Sequence, residues 1–294
     1  ECVFALAQKL QRLHDKKRPT RPADEVLAAA QASYAGVAQP TWILLPKLEN
    51  GAWIIRYDEP LAGGDMAPVW YAMDPFTARP LGERIWGEYA MSWLYELHHS
   101  LHLGDHGETA VGVVGVLFAL SLVSGLYLWW PMLRANVRNA LTLKRNTTSA
   151  RRDRDLHNVA GAYGGLVLLV IALSGATLVF MGPVTAVVSK VADTTPYPAV
   201  ASTPLPGARD VGVDRAVAAA QAVFPDGTLR YVALPQDTAA AYLLFMHQPG
   251  EWGANGAQSL VWVDRWSGAV LATRDWHALT TADRLLAGRS TITG

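Results

Sequence analysis

Two uncharged runs constrain this chain more than any other feature of its sequence. The first is TAVGVVGVLFALSLVSGLYLWW, Thr109–Trp130, and the second is Val159–Gly182, which is followed by Pro183. A helix of about 22 residues is roughly 33 Å long, which is enough to cross the hydrocarbon core of a bilayer. Core helices of soluble proteins are usually shorter. We therefore predict two transmembrane helices, at residues 107–131 and 157–183, the second of which stops at Pro183.

The composition supports this prediction. Charged residues make up 17% of the chain, whereas about a quarter is usual in soluble proteins. Basic and acidic residues are equal in number, 25 each, so the net charge does not indicate a nucleic-acid partner. The single cysteine, Cys2, excludes an internal disulfide framework and a cysteine-rich metal site. The chain starts without Met and without signal-peptide features, and we expect that both ends were cut from a longer parent.

The connector between the two predicted helices, residues 132–156, is strongly basic. Its charged residues are Arg134, Arg138, Lys144, Arg145, Arg151, Arg152 and Arg154, with Asp153 and Asp155. A short loop with this excess of basic residues is typical of the cytoplasmic side of a membrane. The segments before and after the helices are then expected on the outer side, which is the periplasm in a Gram-negative bacterium. Residues 88–106 are amphipathic, and we predict an interfacial helix there.

The two outer segments repeat each other at an offset of 190 residues. PADEVLAAAQASYAG (22–36) matches GVDRAVAAAQAVFPD (212–226), and Asp74 matches Asp264. Each segment reads as an amphipathic helix followed by strands, which indicates duplication of a small α+β module. The predicted fold class is therefore α+β plus membrane helices, with modules at 21–87 and 184–294. Residues 1–20 match neither module.

Several motifs resemble the PepSY-associated transmembrane family. They are ELHHSLHLGDHG (96–107), SGLYLWWP (124–131) and DLHNVAG (155–161), while the outer modules look like PepSY domains. This family comprises bacterial inner-membrane proteins and includes di-haem reductases of siderophore iron. The resemblance implies four spans, of which the first and last also carry histidine ligands. We expect that this chain keeps only the middle two.

His157 opens the second uncharged run and has two interpretations. At 100° per residue, His157, Gly161, Gly164, Leu168 and Gly175 fall on one face of a helix. A histidine above a glycine-rich face could bind haem iron and leave room for the porphyrin. Alternatively, the glycines allow close packing of helices, and His157 pairs with Asp153 or Asp155. The spacing alone does not decide between them.

Four histidines, His98, His99, His102 and His106, precede the first run. In a continuous helix His98, His102 and His106 would form one stripe. Haem ligation, a divalent-metal site completed by Asp105 or Glu108, and a plain polar interfacial helix are all compatible with this pattern. No HExxH motif is present, which weakens hydrolytic zinc chemistry.

The resemblance implies that His98 and His157 bind haem iron, with His99 as the second choice for the outer site and with Gly161 and Gly164 beside the inner one. Two haem b groups are implied, each with an incomplete ligand set in this chain. His98 lies eleven residues before Thr109, so the chain must bend at Gly104 or Gly107 to bring it to the membrane.

The predicted function is an oxidoreductase that passes electrons across the inner membrane to periplasmic ferric iron held by a siderophore. The chain has no GxGxxG motif or P-loop, so quinol or a separate protein must supply the electrons, and no catalytic residue is identified. The main alternative is a non-enzymatic, membrane-anchored PepSY module that binds a peptidase or receptor. A third hypothesis, a metal permease, lacks the acidic residue that an ion pathway would normally place inside a span.

Overall fold

A computed structural model describes residues 19–46, 51–60, 66–143, 148–204, 207–251 and 256–287. The chain divides into two compact units, one formed by Glu1–Ser92 with Ala192–Gly294 and the other by Trp93–Val191. Most of the unassigned segment 1–20 lies outside the described residues, and so do Lys144 and Arg145 of the basic connector.

The first unit contains one antiparallel sheet. Its elements are α1 (Ala23–Ser33), β1 (Pro40–Leu44), β2 (Trp53–Pro60), β3 (Met66–Asp74), β4 (Arg79–Ile85), α7 (Val213–Val223), β5 (Thr228–Ala233), β6 (Tyr242–His247), β7 (Ser259–Val263), β8 (Val270–Arg274) and α8 (Thr281–Ala287). The strand order is β4-β3-β2-β1-β5-β6-β7-β8. Because β1 pairs with β5, the two sequence repeats share a single sheet of eight strands.

The core of this unit lies between one face of the sheet and the two equivalent helices α1 and α7. Alternate residues of β2, namely Trp53, Ile55 and Tyr57, are buried in it, as expected for a strand with one face on the core. Val26 and Ala30 are the buried residues at the centre of α1, and α7 has alanines at the matching positions.

The 190-residue offset also appears in matching contacts. The Asp74 carboxylate accepts hydrogen bonds from the Phe76 N–H and the Thr77 hydroxyl. The Asp264 carboxylate accepts them from the N–H and hydroxyl of Ser267. The two aspartates therefore stabilise equivalent turns at the ends of β3 and β7.

The helices α1 and α7 cap each other reciprocally: a carboxylate in the first turn of each accepts hydrogen bonds from the first turn of the other. Asp24 accepts hydrogen bonds from the N–H groups of Val213 and Asp214, at 2.6 and 3.2 Å. Asp214 accepts them from Ala23 and Asp24, at 2.7 and 3.1 Å. Each carboxylate thus satisfies N–H groups that a helix N-terminus leaves unpaired, but it does so on the other helix.

The second unit is helical. Its elements are α2 (Ala90–Ser100, whose first three residues belong to the first unit), α3 (Gly104–Ala135), α4 (Val137–Leu141), α5 (Ser149–Val179) and α6 (Met181–Val191). Both α3 and α5 are long and apolar enough to cross a membrane. The predicted fold class, α+β with two such helices, is confirmed.

The helix bounds differ from the predicted ones. The connector at 132–156 is not simply a loop, because α3 continues to Ala135, α4 follows, and α5 begins at Ser149. Met, Leu, Ala and Arg dominate these extensions and are good helix formers. The predicted stop at Pro183 falls instead in the first turn of α6, where a missing N–H costs little.

Candidate functional site

The helix breaks between α2 and α3, in the middle of the histidine cluster. Leu101, His102 and Gly104 have φ values of 52°, 56° and 57°, and the Leu103 N–H donates to the Ser100 carbonyl at 2.9 Å. A Cβ atom on Gly107 would lie 1.7 Å from that carbonyl oxygen, so only glycine permits this approach. The bend needed for His98 is present, and it is centred on residues 101–104.

The break places the four histidines on three segments, so His98, His102 and His106 do not form one stripe. His98 and His99 lie on α2, His102 lies in the turn, and His106 lies in the first turn of α3. Their surroundings differ accordingly. The His99 ring stacks on Tyr95 with centroids 5.3 Å apart, and its Nε2 is 3.7 Å from Glu108 Oε1.

The other three histidines are exposed. The His102 ring lies 5.0 Å from the Trp93 ring. Among the described residues, no hydrogen bond, ion pair or ring contact involves the His98 imidazole. His98 is therefore the member of its helix whose ring is available to a ligand, whereas His99 is half-buried.

The divalent-metal interpretation finds little support in this geometry. Within the ranges that the structure describes, no group of three or more His, Cys, Asp or Glu side chains is placed to hold a metal ion. The Glu108 carboxylate approaches His99, but no third ligand joins the pair. A single exposed imidazole such as His98 offers one donor, which is compatible both with an axial haem ligand and with a plain polar interfacial helix.

His157 lies in the third turn of α5 and is exposed. In the part of the chain that is described, neither Asp153 nor Asp155 forms an ion pair with it. Among the residues that the structure describes, Cβ atoms added to Gly161 or Gly175 would meet nothing within 4 Å, and one on Gly164 would meet only Leu168 of the same helix, at 3.9 Å. The face below His157 is open.

A different set of small residues packs α3 against α5. A Cβ on Gly112 would lie 2.6 Å from Val179 Cγ1, one on Gly115 would lie 3.8 Å from Ala176 Cβ, and one on Gly165 would lie 3.7 Å from Leu126 Cδ2. The glycines under His157 therefore do not serve the α3–α5 contact. The sequence interpretation omits Gly112, Gly115 and Gly165, and Gly112 and Gly115 lie three positions apart instead of the four of the GxxxG packing motif.

These contacts show that α3 and α5 are antiparallel, and they place the two candidate ligands at opposite ends of the pair. Gly112 lies beside Val179, and His157 is 22 residues, roughly 33 Å of helix, before Val179. His98 belongs to the end where Ser100 contacts Gly107. The structure does not bring His98 and His157 together, so they could only serve separate sites.

The chain matches a known protein family. The family model described as PepSY-associated TM region matches residues 5–248, a stretch that includes both apolar helices and the histidine motifs. No curated protein matches the chain. Because the match covers well over half of the sequence, the chain belongs to the PepSY-associated TM region family and is a membrane protein.

Proposed function

We propose that this protein is a haem-containing reductase of the bacterial inner membrane, which passes electrons outward to periplasmic ferric iron bound by a siderophore. The observation that carries the proposal is the placement of His98 and His157. Each is an exposed imidazole without a protein partner in the described residues, and they lie at opposite ends of an antiparallel pair of apolar helices.

The residues at both ends fit a haem. At the inner end, His157 would be the axial ligand, and the open face at Gly161 and Gly164 would accept the porphyrin edge. At the outer end, the break at residues 101–104 separates α2 from α3, and His98 on α2 would be the axial ligand, with His99 as the alternative ligand. Haem b, when bound, supplies a one-electron redox centre whose potential depends on its axial ligands and surroundings.

The chain itself contributes binding and orientation. Each site would take one imidazole from this chain. The basic connector supports the assignment of the His157 end to the cytoplasm, because Arg134, Arg138 and Arg151 lie at that end and are exposed. The duplicated sheet unit, with its two PepSY-like modules, would then be periplasmic.

The substrate is the one that the resemblance to siderophore-iron reductases implies, and the chemistry of siderophores explains why its reduction would release the iron. Their oxygen ligands are hard donors that favour Fe³⁺, so one-electron reduction weakens the complex and frees the metal. Electrons would come from quinol or from a separate reductase.

The test is a visible spectrum of the full-length protein in detergent, oxidised and then reduced with dithionite. We expect a reduced haem b spectrum, and we expect His157→Ala and His98→Ala each to lose about half of the haem, measured as the pyridine haemochrome. His102→Ala and His106→Ala are matched controls and should keep it. A colourless wild-type protein would refute the reductase, and full haem in both ligand variants would refute the ligand assignment.

One observation favours the alternative, a non-enzymatic module that binds a peptidase or receptor. Strand β8 forms one edge of the sheet, and its Val270 and Leu271 are exposed. The opposite edge, β4, carries Pro80 and charged residues that discourage pairing. If the full-length protein is colourless yet retains a partner on affinity purification, and charged substitutions at Leu271 release that partner, the binding function replaces the reductase.

A further inference from the structure

The helix α2 has its polar stripe on the inside. Ser92, Glu96 and Ser100 are spaced by four and share one face, and both serines are buried. Ser92 Oγ accepts a hydrogen bond from the Gly87 N–H and donates one to the Tyr89 carbonyl, both at 3.0 Å. Ser100 Oγ lies 3.1 Å from the Glu96 carbonyl and 3.0 Å from its carboxylate. The polar groups of this stripe are therefore satisfied within the chain.

Apart from His98 and His99, the remaining surface of α2 is mainly apolar and exposed. Met91 is 70% exposed and Leu94 is 51% exposed. The same holds for Trp93, Tyr95 and Leu97 in the helix and for Leu101 and Leu103 in the turn that follows. A surface helix in water normally has the opposite arrangement, with its apolar stripe inside and its polar face outside.

We propose that this apolar surface of α2 is embedded in the membrane at the boundary between lipid headgroups and acyl chains. The chain continues from Ser100 into the apolar helix α3 after only three residues, so α2 lies next to the start of a membrane-spanning segment. The exposed set combines Trp and Tyr with Leu and Met, which is the composition found at membrane interfaces. Between Ala90 and Leu103 the only acidic or basic side chain other than histidine is Glu96, and it belongs to the inner stripe.

The proposal has a consequence for His98. At 100° per residue, His98 lies almost opposite Glu96 and between Met91 and Leu97. An embedded α2 would hold this imidazole at the depth of the lipid boundary, away from bulk water. The lipid contact itself does not depend on haem, so it can be tested whether or not the reductase proposal holds.

The experiment is site-directed spin labelling of the full-length protein in liposomes of phosphatidylethanolamine and phosphatidylglycerol. Cys2→Ser provides the background, and single cysteines replace Met91 or Leu97, on either side of His98. The accessibility of each nitroxide to oxygen, which concentrates in lipid, is compared with its accessibility to a nickel chelate, which stays in water. Val37, 80% exposed in the sheet unit, and Leu120, 61% exposed in α3, are matched controls for water and for lipid.

We expect the oxygen-to-nickel ratio at positions 91 and 97 to exceed the ratio at position 37 several-fold and to lie below the ratio at position 120. A ratio equal to that of position 37 would show that α2 faces water and would overturn the proposal. Immobile labels that neither reagent reaches would show that another protein segment covers this surface, and they would also overturn it. A haem spectrum recorded on the same samples keeps the two proposals separate.

Discussion

The helices α1 and α7 cap each other's first turns, so we predict that removing the carboxylate of one helix destabilises the first turn of the other. In an ordinary helix cap, removal of the carboxylate loosens the helix that carries it. Here the Asp24 carboxylate is bound to Val213 and Asp214 of the other helix. We therefore expect Asp24→Ala to loosen the first turn of α7 and to leave the first turn of α1 protected by Asp214.

The magnitude follows from the two hydrogen bonds that each substitution removes. A hydrogen bond contributes about 0.5–1.5 kcal/mol net, so the loss of two bonds should cost about 1–3 kcal/mol. Burial raises the pKa of Asp24, the N–H groups of Val213 and Asp214 lower it, and the nearby Asp214 carboxyl raises it again. Because the net direction is upward, burial and repulsion between the carboxylates offset part of the gain, and we expect the lower half of this range.

The assay is hydrogen–deuterium exchange of the full-length protein in detergent, read by mass spectrometry with fragmentation that resolves single amides. Asp24→Ala should speed exchange at Val213 and Asp214 roughly 5- to 30-fold, since about 1.4 kcal/mol corresponds to a factor of ten. Asp214→Ala should have the same effect at Ala23 and Asp24. Asp24→Asn, which keeps one acceptor oxygen and removes the repulsion, should have a smaller effect.

The crossed pattern is the decisive result. If Asp24→Ala speeds hydrogen exchange at the start of α1 and leaves it unchanged in α7, the assignment of each carboxylate to the other helix is wrong. Equal loss of protection in both helices would indicate that the whole sheet unit has been destabilised, and the argument from individual hydrogen bonds would fail.

Three further predictions concern two other contacts. Asp283 is buried against Arg274, 3.3 Å away, and although burial alone would raise its pKa, hydrogen bonds from Thr195 and Thr280 lower it. The stabilising contribution of the ionised Asp283 is thus present at pH values above the unfolded pKa of about 3.8, and it is lost as the pH falls through the lower pKa of the folded state. Urea unfolding, followed by tryptophan fluorescence, should therefore show that acid destabilises the wild type. This loss of stability should be absent in Asp283→Asn. At pH 7, Asp283→Ala should cost about 3–5 kcal/mol because it leaves Arg274 buried without its anion, and a cost below about 1 kcal/mol would contradict the assigned pair. In the helical unit, Gly112→Val should lower the thermal unfolding midpoint in detergent by several degrees, because its Cβ would meet Val179 and Phe180 at 2.6 and 2.9 Å. The control Gly175→Ala, whose Cβ would meet none of the described residues within 4 Å, should leave that midpoint unchanged or raise it. An unchanged midpoint in Gly112→Val would refute the packing of α3 against α5.

The sequence allowed the elements of the fold to be predicted more fully than their assembly. The thickness of the bilayer sets a minimum length for an uncharged membrane-spanning helix, so the two apolar helices could be located from the sequence. The 190-residue offset also predicted the matching turns at Asp74 and Asp264. The pairing of β1 with β5 could not be predicted. Apolar residues such as Ile43 and Val232, which face each other across this pair, suit any buried strand and do not specify which strand lies beside them.

The candidate site shows the same division. The need for a bend near Gly104 follows from the distance between His98 and the uncharged run. The positive φ value of Leu101 does not follow from the sequence, since non-glycine residues seldom adopt that conformation. The spacing of Gly161, Gly164 and Gly175 left haem binding and helix packing equally possible. Only the geometry shows that the α3–α5 contact uses Gly112, Gly115 and Gly165 instead.

Folding and proposed chemistry rest on different residues in this chain. The contacts that repeat at the 190-residue offset all stabilise the sheet unit; they are made by Asp24 and its equivalent Asp214, and by Asp74 and its equivalent Asp264. His98 and His157 belong to the helical unit, and they make no hydrogen bond, ion pair or ring contact with the described residues of either unit. An imidazole without such partners can be removed at little cost in stability. Loss of haem in His98→Ala or His157→Ala, with unchanged exchange at Gly112 and Gly165 of the α3–α5 contact, would therefore report ligation and not unfolding.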